Sequence, residues 1–249
     1  MINRLLIVTF LLFPVAAWSQ LDANHAGARA ASMGGCYVAS MDSSVCVDVG
    51  WRQSFAMRGM ATRTIALGAP LGARGRALLL YSGFGDVDYH EQQVSAGYLL
   101  AVAPWLNIMV YGLYSGIGTS DAQYWGGQIW LDAGGGITLG GDRVWGYAVA
   151  GSRSWSDTRA WMLRGGMAYR HTEHVISAVG FSIEERLRLR CGMEYSYNRC
   201  AFVRAGLCSN PLTLTFGVGY RQRHYHIDLA TEVHSFLGLS PQISLGLCL

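Results

Sequence analysis

The feature that most constrains this chain is a strict two-residue alternation of apolar and polar positions. It is clearest toward the C-terminus. In 212–221, Leu212, Leu214, Phe216, Val218 and Tyr220 share one parity, and Thr213, Thr215, Gly217, Gly219 and Arg221 share the other. The same split recurs in 187–197, 224–233 and 242–249. A period of two with one wholly apolar face marks a strand lying between an apolar and a polar medium. Charged residues are only 14% of the chain, against about 25% in an average soluble domain. Yet beyond the N-terminus no apolar run reaches the ~18 residues that a membrane helix needs. High apolarity without long apolar runs is what a transmembrane β-barrel produces, because lipid-facing and lumen-facing residues alternate.

The polar faces carry glycine and small residues rather than the Lys and Glu of a solvated sheet, as a confined lumen requires. The apolar faces end in aromatics. Tyr169, Tyr195, Tyr197, Tyr220 and Tyr225 lie beside one set of turns, and Tyr114, Trp125 and Trp161 lie toward the other. Two such girdles mark two membrane interfaces. The pattern predicts an all-β fold, a transmembrane antiparallel barrel of about fourteen strands with a short N-terminal hatch segment. The strands are expected near 51–59, 61–70, 74–83, 92–101, 104–115, 125–139, 142–153, 159–170, 174–185, 187–197, 199–208, 212–222, 224–233 and 241–249. The longer connections are expected near 83–91, 115–124 and 234–240.

Residues 1–19 read as a secretory signal. Arg4 gives a positive start, Leu5 to Val15 an apolar stretch too short to span, and Ala17-Trp-Ser19 a small-residue cleavage site before Gln20. Residues 20–50 do not alternate and are rich in Ala, Gly, Ser and Met. They are expected to form a hatch of short helix and coil that enters the barrel of residues 51–249. Arg29, Asp42 and Asp48 would pair there with lumen charges, against an inner wall lined by Gly192, Gly206, Gly217 and Gly219. The six cysteines have no zinc-type spacing. Cys191 and Cys200 fall on opposite faces, and Cys200 and Cys208 are ~26 Å apart along one strand. Cys36 with Cys46 is the one local pair left open.

Inward-facing charge concentrates in the C-terminal half: Arg164, Arg170, Glu184, Arg188, Arg190, Glu194, Arg204, Arg221, His224, His226, Asp228 and Glu232. Charges facing a narrow lumen must pair or stay wet. Hairpin arithmetic sets Glu194 opposite Arg204 and Glu184 near Arg188. The set reads as a wall-bracing network first and a selectivity lining second. His224, His226 and Asp228 share a face, but neighbours two apart are ~7 Å from each other, too far for a direct His–Asp bond. No catalytic residue, metal site or cofactor is expected. A net charge of +3 gives no footprint for nucleic acid.

Gly27-Ala-Arg-Ala-Ala-Ser-Met-Gly-Gly-Cys-Tyr-Val-Ala-Ser-Met-Asp42 resembles the leading segment of the superfamily of FadL-type transporters and PorV/PorQ proteins of type IX secretion. The closing stretch Leu237-Gly-Leu-Ser-Pro-Gln-Ile-Ser-Leu245 resembles that of its small members. Where the superfamily carries Asn-Pro-Ala, this chain has Val47-Asp-Val-Gly50. The resemblance implies an outer-membrane location in a Gram-negative bacterium, passive passage of a small, hydrophobic solute and no enzymatic reaction. The alternative it implies is a scaffold or shuttle for other envelope proteins. The partners would be the lipid bilayer, the outer-membrane insertion machinery and, for the scaffold, an envelope protein.

Overall fold

The computed structural model describes residues 27–36, 45–119, 128–155, 158–184 and 186–249. The expected signal, Asp42 and Trp125 lie outside them. A four-residue helix α1 (Ala28–Ala31) precedes fourteen strands. These are β1 (Cys46–Gln53), β2 (Ala61–Leu71), β3 (Gly75–Gly85), β4 (Tyr89–Ala103), β5 (Leu106–Thr119), β6 (Gln128–Gly140) and β7 (Val144–Trp155). The remainder are β8 (Thr158–Arg170), β9 (Val175–Ile183), β10 (Leu187–Tyr197), β11 (Ala201–Cys208), β12 (Thr213–Gln222), β13 (Tyr225–His234) and β14 (Gly238–Cys248). Each pairs antiparallel with its sequence neighbours, and β1 pairs with β14 to close the barrel. Closure removes every sheet edge, which is what a bilayer demands of a strand-built wall.

Side-chain parity follows the alternation. In β12, Leu214, Phe216, Val218 and Tyr220 are exposed on the outer wall while Thr213 and Thr215 are buried inside. In β13, Ile227 and Leu229 point out and Asp228 and Ala230 point in. Tyr169, Tyr195, Tyr197, Tyr220 and Tyr225 are exposed beside the turns at the end that also holds both ends of the barrel chain. Tyr114 and Trp161 are exposed toward the opposite rim.

The first strand corrects the expected 51–59. It begins at Cys46, where Val47, Val49 and Trp51 face out while Cys46, Asp48, Gly50 and Arg52 face in. The chain then leaves the ladder in a short 3-10 turn, with Phe55 and Ala56 both at positive φ. Asp48 is therefore a wall residue, not a hatch residue, and residues 46–50 belong to the barrel. The shift also brings Cys46 opposite Cys248, Cα to Cα 4.2 Å, and the two form a disulfide across the closing seam. The local pair left open at the outset, Cys36 with Cys46, is thereby ruled out.

Two of the three expected long connections are tight turns. The β3–β4 connection is residues 86–88, where the Asp86 carboxylate accepts the Asp88 and Tyr89 N–H groups. Gly85 enters it at φ 98, and a Cβ there would strike the Tyr89 carbonyl. The β13–β14 connection is residues 235–237. In both, the strands run on further than the alternation indicated.

Candidate functional site in the barrel lumen

Residues 27–36 pack along the inner wall at mid-height, from β14 round to β9. Ala28 N–H donates to Ser244 Oγ on β14 at 3.1 Å. Ala28 and Ala31 bury against Ala230 on β13. Thr215 Oγ1 on β12 donates to the Ser32 carbonyl and accepts the Gly34 N–H, both at 3.0 Å. The Cys36 thiol points at the Ala178 carbonyl on β9. Three wall glycines make room for this backbone. A Cβ on Gly192 would come within 2.5 Å of the Met33 carbonyl oxygen. One on Gly206 would come within 2.4 Å of Gly34 N, and one on Gly217 within 2.4 Å of Ser32 Cβ. The segment itself turns away through Gly34 and Gly35, both at positive φ, as residues without a Cβ do at little cost. Gly219 belongs elsewhere, under Arg204 and Asp228.

A chain of ion pairs ties this segment to the barrel. Arg29 grips Glu194 with both ends of its fork, Nε to Oε2 at 2.8 Å and Nη2 to Oε1 at 2.6 Å. Glu194 also accepts from Arg204 Nε at 2.6 Å, and Arg204 Nη1 donates to Asp228 Oδ1 at 2.5 Å. The Arg204 side chain is fully buried, and Glu194 and Asp228 nearly so. Two cations and two anions alternate, so the buried set is neutral. Phe202 lies among the guanidinium groups of Arg29, Arg204 and Arg221, each 5.3–5.9 Å from its ring centroid.

The other sequence-predicted residues divide among smaller contacts. Glu232 pairs with Arg52 and His226 with Asp48, each at 2.7 Å. Glu184 does not pair with Arg188. It pairs with Arg164 across the β8–β9 hairpin at 2.5 Å, because Ser182, not Glu184, sits opposite Arg188. Arg190 lies beneath Gly35. His224 is not a lumen residue but an exposed turn residue against the Cys248 carbonyl, since β13 begins one residue later. Arg170 is exposed at the rim, over the Trp145 ring.

The sequence reading missed the other half of the lumen. From β3 to β8 the inner wall carries an apolar cluster, Leu78, Leu80, Leu99, Met109, Tyr111, Tyr147, Val149 and Met162, joined by Met33 from the inserted segment and set among buried polar residues such as Ser95, Asn107 and Thr138. The signal was present as Met109, Tyr111 and Leu113 alternating with Val110 and Gly112. Because both faces of β5 are apolar, parity alone could not orient it. This side also holds a weak stretch of wall. The β6–β7 ladder runs from Gly134↔Gly151 to Gly140↔Trp145, while both strands continue toward the rim. There side chains replace the ladder. The Asp132 carboxylate accepts from Ser152 Oγ, Ser154 Oγ and Ser154 N–H at 2.8–2.9 Å. Beside it is a small cleft lined by residues that include Gln93, Ser115, Ile117, Trp130 and Arg153.

No known family and no curated protein matches the sequence. The fold does match solved barrels. The toluene transporter TbuX of Ralstonia pickettii aligns at TM-score 0.58 and 12% identity, over 92% of this chain and 98% of its own. A deletion mutant of the monoaromatic hydrocarbon channel TodX aligns at 0.59 and 11%, over 90% and 98%. The monoaromatic hydrocarbon channel CymD aligns at 0.55 and 10%, over 84% and 88%. At such identities the likeness establishes the shared fold, that of fourteen-stranded outer-membrane barrels.

Proposed function

We propose that this chain is a FadL-like outer-membrane channel that passes a small apolar solute, without catalysing a reaction. The observation that carries the reading is the interrupted β6–β7 ladder set over an apolar cluster on the inner wall. An apolar solute gains free energy by leaving water, roughly 25 cal/mol per Å² of apolar surface. A gap in the wall lets it pass sideways into hydrocarbon instead of back into the periplasm. Trp130 and Ile117 give the cleft beside the gap apolar surface. The hydrocarbon channels that share the fold support the same solute class. In this reading residues 1–19 are removed on export, the insertion machinery delivers the barrel, and no nucleic acid is involved.

A second reading, a non-transporting scaffold for envelope proteins, draws support from the firmly held lumen segment. Toluene uptake by whole cells separates the two. Cells carrying the protein should take up toluene faster than cells without it. An Ala133→Cys/Ser152→Cys pair, placed where Ala133 N–H meets Ser152 Oγ at 3.5 Å, should abolish the gain when oxidised and restore it when reduced. The unmodified protein should respond to neither treatment. Uptake no faster than in cells lacking the protein would favour the scaffold.

A further inference from the structure

Among the described residues the buried charges around Glu194 are balanced, but those between β8, β9 and β10 are not. Ser182 on β9 stands opposite Arg164 on β8 and Arg188 on β10. Directly opposed residues have Cβ atoms ~5 Å apart, so both arginines border the serine. Arg190 follows on the same inward face of β10, itself buried. Among the described residues one carboxylate is paired with the group: Glu184, with Arg164 at 2.5 Å. Among the described residues, Arg188 and Arg190 meet no carboxylate. Ser182 is 1% exposed, yet its hydroxyl has no hydrogen-bond partner. Buried polar groups are rarely left so, and two adjacent unpaired guanidinium groups are rarer still.

We propose that Ser182, Arg188 and Arg190, with Arg164 beside them, form a binding site for a small free oxyanion. Guanidinium forks and a hydroxyl donor suit tetrahedral or planar oxyanions, whose oxygens accept several N–H bonds at once. The site faces the lumen, above the inserted segment, so lipid headgroups outside the wall do not reach it. Arg190 lies against Gly35, at 3.6 Å from where a Cβ would stand, so the bound anion would also steady that turn. The inference does not rest on the passage of an apolar solute.

The test is calorimetric titration of inorganic phosphate into the purified, detergent-solubilised barrel, with chloride as the background anion. Saturable binding at one site per chain is expected. Arg188→Gln should weaken it about tenfold or more, as loss of a hydrogen bond to a charged group does. Ser182→Ala should weaken it by a few-fold. Arg190→Gln should also weaken it, but that change disturbs the inserted segment, so Arg188→Gln, which does not touch the segment, decides the matter. Acetate should compete with phosphate if oxyanion chemistry is the basis. Absence of saturable binding to the unmodified protein overturns the proposal. So does affinity unchanged in Arg188→Gln, since the phosphate then binds elsewhere.

Discussion

The two halves of the lumen are built on different physics. The wall from β10 to β14, with β1, meets the inserted segment through glycine, hydrogen bonds and alternating buried charge. On the side from β3 to β8, Met33 of the segment joins an apolar cluster. The first kind of contact is directional, so it fixes where residues 27–36 lie. The second is non-directional, so it sets no fixed position. The short β6–β7 ladder falls on the side that carries the apolar cluster.

Breaking the directional side should cost most. Arg204→Ala leaves Glu194 with only Arg29 and strands Asp228, at a cost of about 3–5 kcal/mol. Urea unfolding in detergent micelles, followed by tryptophan fluorescence, measures it. The double change Arg204→Met/Asp228→Leu removes both charges and should cost less than Arg204→Ala alone. Removing the seam disulfide with Cys46→Ser/Cys248→Ser should cost about 2–5 kcal/mol. The same loss should appear in the unmodified protein under reductant. On the outer wall, Leu229→Arg should destabilise by about 2–4 kcal/mol, because its side chain faces hydrocarbon near mid-strand. The smallest effect belongs to the side with the apolar cluster. Met162→Leu keeps volume and apolarity and should cost under about 1.5 kcal/mol, read from the same unfolding curves.

Legibility in the sequence followed the same division. Strands β10 to β14 alternate cleanly between a lipid face and a glycine- and charge-bearing lumen face, so their parity, and the Glu194–Arg204 facing pair, could be read directly. On the other side, Ala77-Leu-Leu-Leu80 and the doubly apolar β5 hide their orientation, and the apolar cluster was missed. The error at the first strand had one cause. Cys46-Val-Asp-Val-Gly50 alternates, but its inward set is so small and mixed that it resembles the Ala/Gly-rich stretch before it. From that error came the misplacement of Asp48 and the missed Cys46–Cys248 pair, which is visible only once β1 is set against β14. The Glu184–Arg164 pairing was out of reach because it depends on the β8–β9 register, which the turn at residues 171–174 sets and the alternation does not.

The central claim is that residues 27–36 close the lumen by lying on the polar wall. Conductance in planar bilayers tests it most directly. Deleting residues 27–36 removes Arg29, Met33 and the turn at Gly34-Gly35 while leaving β1 and its seam intact. The account predicts a higher single-channel conductance from a barrel that still migrates as a folded species in unheated gels. Conductance equal to that of the unmodified protein, with the barrel folded, would contradict it.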